Sequence, residues 1–147
     1  MTDVEAALAS IPMFRHMGPR QRSRLARHVC RRTYPAGAVI VRQGDTSMSF
    51  YVVLSGKVRV VRQSPGVDGI EITEEGPGGF FGEMGVIDDL PRAATVMALA
   101  PTECGLLAKW DFQRELSADP GIALSLISVL NARIRTLEDR LTATGGS

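Results

Sequence analysis

The sequence predicts an α+β fold in which an antiparallel β-roll (a double-stranded jelly roll) lies between N-terminal helices and one long C-terminal helix. Three observations support this prediction. Apolar residues fall at helical spacing before residue 33, short β-rich runs occupy residues 33–107, and helical spacing returns after residue 109. Because each pattern fills one continuous block, we expect a single body of strands with helices at its two ends.

Two amphipathic helices are predicted before the strands. They span Val4–Ser10 and Gln21–Arg32. In the second helix, Leu25, Ala26 and Val29 form one apolar stripe. We expect this stripe to be buried.

Six short runs with β character follow, separated by turn residues. The runs are Val39–Val41, Phe50–Leu54, Val58–Val61, Ile70–Thr73, Ala94–Leu99 and Cys104–Leu107. Turns are indicated around Gly37, Gly44 and Gly56, since glycine accepts the tight reversals that other residues resist. Short strands at this close spacing are typical of a double-sheet roll.

The last third of the chain is predicted to be helical. Trp110–Leu116 forms a short helix, and Asp119 followed by Pro120 marks the start of a long one, because proline suits the first helical turn. Its apolar residues step by three and four and form a seam: Ile127, Leu130, Ile134, Leu137 and Leu141. The seam predicts that this helix covers the roll, pairs with another subunit, or does both. Residues 142–147 have the composition of a flexible tail or of the start of a linker.

Length and composition describe one ordinary globular domain over residues 1–147. A hydrophobic share of 44%, a charged share of 22% and a net charge of +1 argue against disorder and indicate no particular partner. Cys30 and Cys104 do not form the pattern of a disulfide framework, which favours a reducing compartment. The apolar runs are too short for a membrane span, and the first ten residues carry Asp3 and Glu5 instead of a basic signal region. We therefore predict a cytoplasmic location.

The segment Phe81–Val96 reads F-G-E-M-G-V-I-D-D-L-P-R-A-A-T-V and combines an acid, an arginine and several accessible backbone amides. The planar guanidinium of Arg92 matches phosphate oxygens, and an ionised Glu83 accepts hydrogen bonds from a ribose hydroxyl. Gly82 and Gly85 let a ligand approach the main chain closely, and N–H groups at the start of a short helix there would attract anionic oxygens. The segment therefore predicts a sugar-phosphate site.

In the order and spacing of F-G-E and P-R-A-A-T-V, this segment resembles the phosphate-binding cassette of cyclic-nucleotide-binding domains. Such domains occur in kinase regulatory subunits, the catabolite activator protein and nucleotide-gated channels. The resemblance covers nearly the whole chain, because the glycines of the turns match as well. It implies that Glu83 holds the ribose 2′-hydroxyl and that Arg92 holds the cyclic phosphate. It also implies that backbone amides bind the remaining phosphate oxygens, at Gly82, Met84, Ala93 and Ala94.

The resemblance also concerns the nucleotide base. In the family, threonine directly after the arginine favours cyclic GMP and alanine favours cyclic AMP, so Ala93 implies cyclic AMP over cyclic GMP. The base is expected to pack near Val60 and Ile72. The last helix is expected to cover it, since Arg133 and Leu137 match the family's lid positions. A ligand that touches both parts would shift that helix between docked and open arrangements, which implies a regulatory sensor.

Other classes of function lack the residues that they need. A cupin-like metal enzyme requires several imidazoles inside the roll, whereas His16 and His28 both lie outside the predicted strands. Cys30 and Cys104 cannot supply a four-thiolate iron–sulfur site. The sequence also contains no nucleophile elbow, P-loop or helix with paired histidines. We therefore predict no enzyme activity, no catalytic residue, no metal site and no cofactor.

Several partners are compatible with the sequence. No residues remain after the long helix to build a helix-turn-helix, so DNA binding by this chain alone is not expected. An arginine cluster near the first helices is expected to form a solvated face: Arg15, Arg20, Arg22, Arg24, Arg27, Arg31 and Arg32. The resemblance implies a homodimer through the last helix or a linked effector domain absent from this chain. The alternative function is a nucleotide-independent interaction module on the same β-roll, which the presence of both Glu83 and Arg92 disfavours.

Overall fold

The computed structural model describes residues 3–11, 14, 17–63, 66, 70–82 and 91–145. Within these ranges, helices α1 (Asp3–Ser10) and α2 (Pro19–Ala26) precede the strands, and helices α3 (Lys109–Ala118) and α4 (Pro120–Gly145) follow them. The strands are β1 (Cys30–Tyr34), β2 (Val39–Val41), β3 (Ser49–Ser55), β4 (Val58–Arg62), β5 (Glu71–Glu75), β6 (Phe80–Phe81), β7 (Thr95–Ala98) and β8 (Thr102–Ala108). The predicted order of helices, strands and helices is confirmed.

The strands form two antiparallel four-stranded sheets. One sheet has the order β1-β8-β3-β6 and the other has the order β2-β7-β4-β5. Successive strands mostly alternate between the two sheets, as in a jelly roll. The predicted β-roll is therefore confirmed.

Strand β3 is buried on both faces and separates two apolar clusters. Phe50 and Val52 face a helix-side cluster, which contains residues of α1, α2, α3 and α4. Tyr51 and Val53 face an inside-roll cluster between the two sheets. Since side chains of a strand alternate between its faces, one apolar run contributes to both clusters. A site on the inside-roll face is thereby separated from the helices.

Helix α4 begins against the rest of the protein and then leaves it. Asp119 Oδ1 accepts a hydrogen bond from the Gly121 N–H at 2.9 Å, so the start predicted around Pro120 is confirmed. Ile122 and Leu126 are buried in the helix-side cluster. Residues 131–143 are all exposed. Of the described residues, no helix has an apolar stretch long enough to cross a membrane.

The second predicted helix was too long. It ends at Ala26, and Cys30–Tyr34 is instead strand β1, in which Cys30 pairs with Leu106 and Tyr34 with Thr102 of β8. Pairing along β8 gives the backbone of this segment an antiparallel ladder, which outweighs the helix propensity of its arginines. Strand β6 was missed because it has only two residues between glycines.

Two arginines of the predicted cluster form ion pairs between elements, whereas Arg15 lies outside the described residues. Arg24 Nε and Nη2 each donate to the Glu115 carboxylate at 3.0 Å, which ties α2 to α3. Arg31 donates to both Asp3 and Glu103, which ties β1 to α1 and β8. Both arginines keep substantial exposure, as expected of a solvated face.

Candidate anion-binding site

Arg92 lies shortly before β7 and is fixed through its main chain. Its N–H donates to the Asp45 carbonyl oxygen at 2.8 Å, and its carbonyl oxygen accepts from the Gly44 N–H at 2.9 Å. These two bonds attach Arg92 to the turn before β3. The predicted turn at Gly44 therefore supports the predicted phosphate-binding residue directly.

The side chain of Arg92 is buried although it carries a charge. It is only 7% exposed. Burial lowers the pKa of the guanidinium, and attraction by Tyr51 and Asp45 partly opposes that effect. Nη1 has no hydrogen-bond partner among the described residues. Because a buried cation is costly unless it is paired, this arrangement fits an anionic ligand whose oxygens accept from Nη1.

Gly82 lies directly against the guanidinium. Its φ is +87°, and a Cβ at this position would overlap Nη1 of Arg92 and lie 3.1 Å from the Ser49 carbonyl oxygen. A side chain here would therefore be strained and would displace the guanidinium. The structure thus brings together Gly82 and Arg92, the two described ends of the predicted cassette.

The other predicted cassette residues fall into two groups. Ala93 is exposed and Ala94 is half-buried, directly before β7. The start of β7 is attached to the turn after β2 by a hydrogen bond in which Thr95 Oγ1 accepts from the Gln43 N–H at 3.0 Å. Glu83, Met84 and Gly85, which were predicted from the same motif, lie outside the described residues.

The two predicted base contacts on the sheet do not share a face. Val60 packs partly buried against the inside-roll cluster. Ile72 is opposite Val61 across the β4–β5 pair, whereas Val60 is opposite Thr73. Since directly paired residues point to the same face and neighbours alternate, Ile72 belongs to the outer face with Val61. The structure thus brings Val60, and not Ile72, to the inside of the roll.

The predicted lid residues lie on the exposed part of α4. Arg133 is exposed and Leu137 is 56% exposed. The seam residues Ile127, Ile134 and Leu141 are also more than half exposed, whereas Leu130 packs against the helix-side cluster. The described arrangement therefore leaves Arg133 and Leu137 away from the protein interior.

Sequence reasoning missed Tyr51. Its ring lies on the inside-roll face, with Cζ of Arg92 5.3 Å from the ring centroid. A tyrosine within the run S-F-Y-V-V-L-S is the available signal, because its polar tip distinguishes it from the aliphatic residues that follow. The distance to Arg92 depends on cross-strand geometry, which the sequence does not show.

A β-roll that holds a buried arginine against a glycine main chain is the arrangement expected of an anion-binding domain. A family model described as "Cyclic nucleotide-binding domain" matches residues 31–119. The chain belongs to this family of regulatory ligand-binding domains.

Similar proteins place such a domain in different contexts. A cyclic nucleotide-gated potassium channel of Mesorhizobium japonicum is 39% identical over 79% of this chain and 31% of its own length. The cyclic AMP receptor protein of Thermus thermophilus is 34% identical over 84% of this chain and 57% of its own length. The crystal structure of Thermus thermophilus catabolite activator protein matches with a TM-score of 0.81 at 32% identity, covering 91% of this chain and 63% of that chain. The chain thus spans less than two thirds of each of these relatives.

Proposed function

We propose that this chain is a cyclic AMP sensor in which Arg92 binds the cyclic phosphate. The main support is the buried guanidinium, whose Nη1 has no partner among the described residues and lies against Gly82. A phosphodiester carries one negative charge and exposed oxygens that a guanidinium matches in geometry. Backbone amides at Gly82, Met84, Ala93 and Ala94 and the Glu83 carboxylate complete the proposed site.

The proposed role is recognition without catalysis. Arg92 and Gly82 supply binding groups, whereas hydrolysis of a phosphodiester requires a positioned nucleophile that neither residue provides. The base is proposed to pack on the inside-roll face near Val60. Arg133 and Leu137 are proposed to approach it when α4 docks, and Ile72 would then support the sheet from its outer face.

We expect cyclic AMP to bind more tightly than cyclic GMP, because Ala93 offers no hydroxyl to a guanine amino group. Ala93→Thr adds that hydroxyl. One hydrogen bond is worth about 0.5–1.5 kcal/mol, so the ratio of the two dissociation constants should move about 2- to 13-fold towards cyclic GMP. Isothermal titration calorimetry with both nucleotides measures this ratio.

Ala6→Thr is the matched control, because Ala6 is exposed on α1, which packs in the helix-side cluster. It should leave the ratio unchanged. Tighter binding of cyclic GMP than of cyclic AMP by the unmodified chain would contradict the base preference and leave the phosphate site standing. Absence of binding of either nucleotide would reject the cyclic-nucleotide function and favour an interaction module.

We propose that the exposed part of α4 pairs with a second copy of the chain. In this part, Ile134, Leu137 and Leu141 are more than half exposed and step by three and four, which suits a two-stranded coiled coil. In a parallel pair, Arg133 of one copy would face Glu138 of the second copy beside the seam, so the charges are complementary. Ligand contact with α4 would then couple cyclic AMP binding to this pairing.

Light scattering should give a mass of twice 15.9 kDa for the chain. Ile134→Asp places a charge in the seam and should yield the single-chain mass. Thr136→Asp introduces the same charge off the seam and should remain dimeric; the Thr136 hydroxyl donates to the Ala132 carbonyl oxygen of its own helix. A single-chain mass for the unmodified protein, with and without cyclic AMP, would refute pairing through α4.

The sensor is proposed to act in the cytoplasm and to control a linked effector. Cys30 and Cys104 are both free, and Cys30 is exposed, which suits a reducing cytoplasm. Burial raises the pKa of the Cys104 thiol to about 11, so it stays protonated at neutral pH. The effector is proposed to be a linked domain, since this chain spans only 31% and 57% of the length of two relatives.

A further inference from the structure

We propose that Tyr51 positions the guanidinium of Arg92 for its ligand, a role that rests on the proposed function. Cζ of Arg92 lies 5.3 Å from the centroid of the Tyr51 ring, within the range of a cation–π contact. Tyr51 is only 8% exposed and belongs to the doubly buried strand β3. The ring is therefore a fixed surface on which the guanidinium rests.

An aromatic ring holds a guanidinium without using its donors. A carboxylate in the same place would accept from the N–H groups and compete with phosphate oxygens, whereas a ring face attracts the cation through its quadrupole. Nη1 meanwhile has no hydrogen-bond partner among the described residues. Tyr51 thus orients Arg92 and leaves its donors for the ligand.

Phe81 fixes the ring of Tyr51 in turn. The two residues are direct partners in the β3–β6 pair, and their rings stack with centroids 4.8 Å apart and planes 11° apart. Phe81 immediately precedes Gly82, whose main chain lies against Nη1. The stacked rings, the guanidinium and the glycine therefore form one continuous unit, in which the ring position sets the position of the binding group.

The test is calorimetric titration of the full 147-residue chain with cyclic AMP. Tyr51→Phe keeps the ring and should bind within about twofold of the unmodified protein, whereas Tyr51→Leu should bind about 3- to 30-fold more weakly. In an Arg92→Met background, Tyr51→Leu should change affinity less than about twofold, because interacting residues are not additive. If Tyr51→Leu weakened cyclic AMP binding in the Arg92→Met background as much as it does in the unmodified protein, the positioning role would be overturned.

A fluorinated series separates electrostatics from packing and also serves if Tyr51→Leu fails to fold. Phenylalanine, 4-fluoro-, 3,5-difluoro- and 3,4,5-trifluorophenylalanine at position 51 keep nearly the same shape while the ring face loses negative charge. Affinity should fall with each fluorine. If all four variants bound cyclic AMP with the same affinity, the role of Tyr51 would be overturned and the proposed function would stand. Failure of the unmodified protein to bind cyclic AMP would overturn the proposed function itself.

Discussion

Replacing Arg92 with leucine lowers the affinity for cyclic AMP by about 10- to 150-fold and leaves the fold intact. The loss corresponds to one charge-assisted contact of about 1.5–3 kcal/mol. Arg92 is buried with Nη1 unpartnered among the described residues, so its removal also relieves a desolvation cost. That gain offsets the lost contact with Tyr51, and the ligand-free protein should keep its thermal midpoint.

Thermal melting with cyclic AMP gives a second measurement of the same loss. At a hundred times its dissociation constant, the ligand should stabilise the unmodified chain by about 2.7 kcal/mol, and at the same concentration Arg92→Leu should gain about 1.4 kcal/mol or less. Arg59→Leu is the matched control, since Arg59 is exposed on β4. Equal stabilisation of Arg92→Leu and the unmodified chain would show that this guanidinium does not hold the phosphate.

Gly82→Ala tests the same contact from the main-chain side. The added methyl would overlap Nη1 at a φ of +87°, so affinity should fall although Arg92 is still present. Gly37→Ala has the same φ of +87° with nothing within 4 Å of the new Cβ, and the Gly37 N–H bonds to Ala98 and not to Arg92. It should share the backbone strain and keep its affinity. Equal losses in the two variants would assign the effect to strain and not to displacement of the guanidinium.

The fold could be predicted where burial leaves a strong pattern. Strands β3 and β8 are apolar over most of their length, because one face of each strand packs in the helix-side cluster and the other face packs in the inside-roll cluster. Both strands therefore appear in the sequence as clear apolar runs. Strand β1 could not be predicted, since its Cys30–Tyr34 segment is largely exposed and rich in arginine. Its strand conformation depends on pairing with β8, which is distant in the sequence.

The site could be predicted where its chemistry is local in sequence. Gly82 and Arg92 follow from residue types at a fixed spacing, and the structure places them in contact. Tyr51 escaped prediction because its position under Arg92 depends on the pairing of β3 with β6. The seam of α4 predicts an apolar face but not what covers it, so the arrangement of Leu137 could not be derived from periodicity.

Phe112→Ala destabilises the protein by about 3–5 kcal/mol, because a large ring leaves a well-packed cluster. Phe112 is 1% exposed, and its ring stacks on Phe50 at 5.9 Å and contacts Phe14 at 6.0 Å. Urea unfolding measures the change as a lower midpoint. Trp110→Ala is the matched control on the same helix, since Trp110 is 58% exposed and should change stability by less than about 0.5 kcal/mol.

Phe112→Ala also tests whether packing on the helix side of β3 affects ligand binding on its inside-roll face. Phe112 belongs to the helix-side cluster together with Ile122 of α4, whereas Tyr51, under Arg92, belongs to the inside-roll cluster. In conditions where Phe112→Ala remains folded, affinity for cyclic AMP should therefore fall far less than in Arg92→Leu. A loss as large as that of Arg92→Leu would mean that the docking of α3 and α4 controls the phosphate site through β3, and the separation of stability from binding would be wrong.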